Sequence, residues 1–428
     1  MDLKADITER TGTSATGQSR CFRDACVMSA ISAINAILAW RTNGRKGQSS
    51  TIPLSAANLS SNIRHSINQD CRARNMKRIL IASVLALMAW ASSLVSQAQA
   101  APCLMITLTG TQGGPPAFKG LAGSGTLVRY GDDSNNCSAV KLQFDAGRGT
   151  VMRLAELDIP PEQLNAVFFT HMHNDHTEGF ADLITLRWMF FGKGPKLDAV
   201  CTSDIVSTFG FTISCQKFTA HIADSFTQSG EVAQRHSEIK ERTAGGPADL
   251  INTITFDAKD EPQIVWSSGD VKVSAIRSTH IAGHASYRVD TPAGSVVIGG
   301  DAGNDVPLPP RSSSASEQVE RLAKGADVIV HSTIHPAMGP DKGSGFFPHA
   351  YFRQSNAFDL GAMAKRAGTK YLMLTHMIPP LGAEKQGPFK LPNGPLTETD
   401  YRKAAEDSGF TGQTIVGTDL ATLRLPPQ

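Results

Sequence analysis

Residues 101–428 read as an α/β fold with sheets covered by helices. Three observations lead there: a dozen strand-like runs along the segment, helical patterns interleaved among the later ones, and no Pro/Ser-rich linker to divide it. The first runs, 103–111 (CLMITLTGT), 125–130 (GTLVRY) and 139–144 (AVKLQF), follow one another closely as a hairpin-like series. Short apolar runs at 165–171 (NAVFFTH) and 198–203 (DAVCTS) come next, then 263–268, 271–278, 286–290 and 295–301. The last three runs, 327–333, 371–376 and 413–419, alternate with helical patterns at 316–326, 360–368 and 397–410. The final helix opens on Thr397 with Asp400 three residues on, a capping signal, and stops at Gly409. Residues 228–262 are polar and poorly periodic, and read as an insertion or lid.

The first hundred residues have a different character. From Met76, two cations (Lys77, Arg78) precede a short apolar run, and the segment closes on Ala98-Gln99-Ala100. Basic start, short apolar core and A-x-A end make residues 76–100 a secretory signal peptide, with cleavage expected before Ala101. The run is short for a bilayer span, which needs about 20 residues, so no stable membrane anchor is expected after cleavage. Residues 1–75 are rich in Ser, Asn and Arg and read as a disordered upstream extension, outside the native protein if translation starts at Met76. Ten Lys/Arg against five Asp/Glu in residues 1–75, with the leader's two cations, turn the chain's formal +2 into −5 for residues 101–428. An acidic domain lacks the basic footprint of a nucleic-acid binder. Four cysteines remain in residues 101–428: Cys103, Cys137, Cys201 and Cys215. An even count in an exported chain points to disulfides, with three pairings open. Proximity in sequence favours Cys103–Cys137 and Cys201–Cys215. A periplasmic or secreted location follows.

The chemistry is concentrated at the end of the run 165–171. There "THMHNDH" places His171, His173, Asp175 and His176 within six positions. Histidines at i and i+2 on an extended segment point to the same side, and a following turn can bring Asp175 and His176 to a second point nearby. Imidazole and carboxylate are ligands suited to zinc.

This H-x-H-x-D-H pattern resembles the signature of the metallo-β-lactamase superfamily, matching it at every fixed position. The likeness extends over nearly all of residues 101–428. Residues 108–116 (LTGTQGGPP) look like the family's first glycine turn and 144–150 (FDAGRGT) like its second landmark. Residues 278–289 (STHIAGHASYRV) resemble the segment of the third histidine, assigned to His280 with His284 as rival. Residues 297–303 (VIGGDAG) resemble the segment of the bridging aspartate, Asp301, and 371–380 (YLMLTHMIPP) that of His376. The resemblance implies a four-layer αβ/βα metallo-β-lactamase sandwich. It also implies two Zn2+ ions, one held by His171, His173 and His280, the other by Asp175, His176 and His376, with Asp301 between them. A metal-bound hydroxide would then be the nucleophile. His173, where the superfamily's diiron branch usually has Glu, favours zinc.

An aspartate at 301 is absent from the β-lactamases of this fold, and "ADVIVHSTIHP" looks most like the ribonuclease Z and arylsulfatase group. Export and acidic charge argue against nucleic acid, and only 21 positions separate His280 from Asp301, too few for a tRNA-clamping arm. The expectation is therefore an exported dinuclear-zinc hydrolase of a small-molecule ester, aryl sulfate or phosphodiester. The alternatives are a lactonase or β-lactamase-type hydrolase, or a ribonuclease Z-like phosphodiesterase. A metal-binding protein without turnover is the reading from another class. Asp175 belongs to the expected catalytic set. His349, which precedes the helix leading to His376, is the expected leaving-group acid, with His331 as the alternative. Oligomeric state has no readable signal.

Overall fold

Apolar alternation makes the first strand: in Pro102–Gly110 the side chains of Leu104, Ile106 and Leu108 are buried on one face. The computed structural model describes residues 100–427. The expected extension 1–75 and nearly all of the expected leader lie outside the described residues. Among the described residues no helix is long and apolar enough to cross a membrane.

In chain order the strands begin β1 (Pro102–Gly110), β2 (Gly125–Asp132), β3 (Val140–Phe144), β4 (Ala166–Phe168), β5 (Leu197–Thr202), β6 (Ile205–Val206), β7 (Thr212–Ile213), β8 (Ile251–Phe256) and β9 (Gln263–Ser268). They continue with β10 (Val271–Arg277), β11 (Ala285–Thr291), β12 (Gly294–Ile298), β13 (Val328–Ile334), β14 (Tyr371–Ile378), β15 (Lys385–Gln386), β16 (Phe389–Lys390), β17 (Gln413–Val416) and β18 (Thr422–Leu425). One seven-stranded sheet has the order β18-β1-β2-β3-β4-β5-β8 and the other β17-β14-β13-β12-β11-β10-β9. Each sheet starts with antiparallel hairpins and finishes in parallel strands: β3-β4-β5-β8 in the first, β12-β13-β14-β17 in the second.

The hairpin and crossover patterns thus each occur twice, where the sequence suggested hairpins early and crossovers late. The first sheet's crossovers were hard to read because the helix Phe180–Phe191 is apolar on most sides and carries no clear 3.6-residue stripe. Residues 228–262 are also more regular than expected. They hold the helix Glu231–Glu238 and the strand β8, which completes the edge of the first sheet.

Between the sheets lies one apolar layer, with Leu104, Ile106, Phe144 and Phe168 facing Val273, Tyr287, Val330 and Met373. Phe168 stacks on Phe144 at 4.6 Å and meets Tyr287 edge-on at 5.5 Å. Full burial of such side chains contributes about 1.5–3 kcal/mol each. Outside the first sheet pack Phe180, Leu183 and Ala223 from the helices Phe180–Phe191 and Cys215–Gln228. Outside the second pack Val319, Leu360, Met363 and Tyr401 from the helices Glu317–Ala323, Ala357–Ala367 and Glu398–Glu406. The result is the expected four-layer sandwich of helices, sheet, sheet and helices. The Thr397 capping box with Asp400 forms as anticipated, and Gly409 has a left-handed φ of 84°.

Both disulfides have the pairing that proximity favoured, Cys103–Cys137 and Cys201–Cys215. The second closes a 14-residue loop around the β6–β7 hairpin. That hairpin's tip is notably apolar for an exposed element: Phe209 and Phe211 are 84% and 71% exposed.

Candidate metal centre

Loops after β4, β12 and within β14 meet at one edge of the sandwich. Just past β4, a single carboxylate organises the histidine motif. Asp145 accepts hydrogen bonds from the Thr170 backbone N–H (2.8 Å) and hydroxyl (2.8 Å), and lies 2.8 Å from His176 Nδ1. Asp145 holds a proton on His176 Nδ1 and so aims Nε2 at the site. Burial works against the charge of this imidazole, but Asp301 and Asp145 raise it well above its usual range, so a metal at Nε2 would take the place of the second proton. Thr170 Oγ1 in turn lies 3.0 Å from His171 Nδ1, which turns His171 Nε2 inward by the same logic. This is the usual outer support of a metal-binding imidazole.

Asp301 follows two glycines after β12. Gly300 has a φ of 61°, and a Cβ there would come within 2.9 Å of Thr170 and of His284 Nε2. Only glycine lets the aspartate sit this close to the motif loop. His376 is delivered by a bulge: the β13–β14 register skips it between Thr375 and Met377, and its φ is 44°. A bulge re-aims one side chain out of the alternating pattern, here into the site, where Nε2 lies 3.1 Å from Asp175 Oδ2 and 3.2 Å from the Gly114 amide.

All seven expected ligands come together. His171, His173 and His280 form one potential metal group, Asp175, His176 and His376 another, and His171, His176 and Asp301 overlap both; within each, the ligand atoms lie within 4.8 Å of one another. Asp301 stands in the middle. Oδ1 is 3.5 Å from His176 Nε2, while Oδ2 is 3.7 Å from His280 Nε2 and 3.5 Å from His376 Nε2.

The donor chemistry suits divalent metals. His176 Nε2 and Asp301 Oδ1 are buried without a hydrogen-bond partner, an arrangement costly unless something charged is bound there. Burial, with the neighbouring imidazoles, pushes His171 well below its usual range; burial likewise lowers His173 and takes His280 down to about 3. These three imidazoles are neutral at pH 7, the form that ligates. For Asp175 burial works upward, but the His376 hydrogen bond and the His176 and His376 charges outweigh it and hold the carboxyl at about 2. Burial also opposes the charge on Asp301, yet His376 and His176 keep it well below the carboxylate range.

The choice between His280 and His284 is decided by what their nitrogens touch. His284 Nε2 accepts the Asp301 backbone N–H (3.2 Å), and Nδ1 lies 2.8 Å from Ser278 Oγ, so both nitrogens are committed to protein. His280 Nδ1 faces the Arg353 carbonyl at 3.4 Å and leaves Nε2 for the site. His280→Ala is expected to lose one metal, whereas His284→Ala keeps the full complement with affinity lowered about 10–100-fold. Chelator competition on the two variants measures this, and equal metal loss from both would contradict the assignment.

The geometry does not support His349 as the leaving-group acid. It is exposed and stacks on Phe347 at 5.6 Å, because the short helix Pro348–Phe352 turns it outward. Arg353 and Gln354, from the same stretch, line the cleft over the ligands. His331 is buried, lowered to about 4 by burial, and its Nδ1 lies 2.7 Å from the Ser332 carbonyl. It lines a cavity of about 10 Å³ that also touches Asp301 and Asp145, separate from the open cleft. That places it at the back of the ligand cluster.

The cleft has two lobes. One, of about 370 Å³, is walled by Asp175, Asp301, Phe346, Phe347, Gln354 and Phe389. The other, of about 930 Å³, runs under the β6–β7 hairpin past Phe209, Phe211 and Ile281. His173, His280 and Arg353 line both.

No family model matches the chain. Curated ribonuclease Z of Mycobacterium bovis (strain BCG / Pasteur 1173P2) is 27% identical over 336 residues, covering 76% of this chain and 99% of that protein. Ribonuclease Z of Mycobacterium tuberculosis (strain ATCC 25618 / H37Rv) is 28% identical over 333 residues, with 76% and 99% covered. Among solved structures, a metallo-β-lactamase-fold protein of Bacillus subtilis superposes with a TM-score of 0.49 at 17% identity, over 76% of this chain and 100% of that one. Human short-form tRNase Z superposes with a TM-score of 0.47 at 16% identity, over 76% and 100%. The chain has the metallo-β-lactamase fold and ribonuclease Z homologues. Its ligand set and kinship are those of a metal-dependent hydrolase.

The acidity of residues 101–428 therefore does not exclude nucleic acid, contrary to expectation, since these relatives are ribonucleases by name. Net charge is a sum over the whole surface and says little about one cleft.

Proposed function

We propose that this metallo-β-lactamase-fold chain is a ribonuclease Z-like phosphodiesterase that works with two zinc ions. The observation that carries the reading is the overlap of the ligand groups on Asp301, in a chain aligned with ribonuclease Z over 99% of that enzyme's length. His171, His173 and His280 would hold one ion, and Asp175, His176 and His376 the other, with Asp301 shared. Divalent metals there would lower the pKa of a water and offset charge building on the phosphoryl oxygens.

The chain's own contribution is rigidity. Asp145 fixes the proton on His176 Nδ1, and His284 holds the Asp301 backbone. Donors fixed before reaction need no reorganisation during it. A small aryl ester, sulfate included, is the second reading, favoured by the aromatic wall of Phe346, Phe347 and Phe389. Export through residues 76–100 belongs to the same proposal, and the two disulfides agree with an oxidising compartment.

The test uses protein made with its own leader and recovered from the exported fraction, where its sequence should start at Ala101. Loaded with zinc, it is expected to cleave bis(4-nitrophenyl) phosphate and a labelled RNA, and to leave 4-nitrophenyl sulfate at the metal-free background. Turnover of the sulfate with the diester untouched would replace the first reading with the second. An N-terminus upstream of Met76 would remove the export proposal.

A further inference from the structure

Two guanidinium groups stand in the wall of the cleft, and only one is neutralised. Arg277 pairs with Asp260 and, at 3.7 Å, with Asp305. Arg353 has no ion-pair partner and donates no hydrogen bond among the described residues, and its Nε is buried and unsatisfied. Asp204 and Asp257 also line the larger lobe, but neither pairs with Arg353. A half-buried, unpartnered guanidinium is costly in an isolated protein. It is explained if an anion is supplied from outside.

The root of this side chain is held firmly against the ligand cluster. The Arg353 carbonyl faces His280 Nδ1 at 3.4 Å, and Gly303 packs so closely on it that a Cβ there would lie 2.5 Å from that oxygen. Two residues on, Ser355 Oγ donates to the Ala302 carbonyl at 2.6 Å. The backbone of Arg353 is therefore tied to the segment that carries Asp301 and to the loop that carries His280. Arg353 lines both lobes together with His173 and His280, so it stands beside the ligands where the two lobes join.

We infer that Arg353 is the anion-binding residue of the cleft, its guanidinium taking a non-bridging oxygen of the phosphodiester group that lies over the ligand cluster. A planar fork of N–H donors matches phosphoryl oxygens better than an ammonium does. The inference rests on the phosphodiesterase reading and deepens it, by naming the group that distinguishes an anionic diester from a neutral ester.

The experiment compares zinc-loaded protein with Arg353→Met and Arg353→Lys, after zinc content and thermal midpoint show that the metals and fold are retained. Calorimetric titration with inorganic phosphate should show affinity lowered about 10- to 100-fold in Arg353→Met, with a smaller loss in Arg353→Lys. In parallel, kcat/KM for bis(4-nitrophenyl) phosphate should fall by a similar factor in Arg353→Met. The neutral methyl triester of the same acid should stay within about twofold, because it has no anionic oxygen to lose.

Unchanged phosphate affinity in Arg353→Met, or equal losses on diester and triester, would overturn the inference. If Arg353→Met loses zinc, Arg353→Lys carries the test: it keeps the charge without the fork and must still weaken phosphate. The two proposals fail separately. Arg353-dependent phosphate binding without turnover of either ester would remove the phosphodiesterase reading and keep this one, and diester turnover indifferent to Arg353 would do the reverse.

Discussion

Asp301→Ala is expected to empty both halves of the ligand cluster at once. One of its oxygens faces His176 and the other faces His280 and His376, all within 3.7 Å, and the carboxylate is almost wholly buried. Removing one partner from a buried set of opposite charges costs about 3–5 kcal/mol, because the remaining charge is left uncompensated. Charged against metal binding, that is a loss of roughly 10²–10⁴-fold in affinity for either ion, with hydrolytic activity falling at least as far. Elemental analysis after dialysis, with chelator competition, measures it. A variant that lost one metal and kept the other at full affinity would show that Asp301 serves a single site.

Asp145 should produce an effect of similar size on folding, although it touches no proposed metal. Asp145→Ala leaves three buried donors without an acceptor: the Thr170 amide, the Thr170 hydroxyl and the His176 Nδ1–H. Each unsatisfied group costs about 1–3 kcal/mol. The left-handed backbone at Asp145, with φ 56°, adds strain for alanine. Together these should destabilise the metal-free protein by at least about 4 kcal/mol, read as a shift in denaturant midpoint.

Asp145→Asn separates stability from ligation. Asparagine tolerates the left-handed conformation and can still accept from Thr170, so most of the stability should remain. Its amide would face His176 Nδ1 as a donor, which favours the tautomer with the proton on Nε2 and blocks the ligand atom. Zinc affinity should then fall about 10–100-fold while the unfolding midpoint moves little. Wild-type affinity in Asp145→Asn would mean that the contact only supports the loop.

The sequence alone marked out the candidate centre, because four of its seven proposed ligands fall within the six positions 171–176, where chain connectivity guarantees proximity. The sandwich was legible for a related reason. Strands such as Pro102–Gly110 carry apolar residues at alternate positions, Leu104, Ile106 and Leu108, and that period-two signal needs no partner to be seen. The capping box at Thr397 and Asp400 is just as local.

Whatever depended on direction was decided only by the tertiary structure. The sequence placed His280 ahead of His284 on resemblance alone, and the reason lies in the contacts of His284 with Ser278 and the Asp301 amide, which occupy both its nitrogens. His349 was a reasonable acid by position in the chain, but one turn of helix points it at solvent and brings Arg353 and Gln354 to the cleft instead. Asp145 lay in a stretch singled out as a landmark, yet its grip on Thr170 and His176 depends on β3 and β4 lying side by side. Ligand type and short-range spacing are written along the chain. The aim of a side chain, and what stands opposite it, arise only when strands distant in sequence pack together.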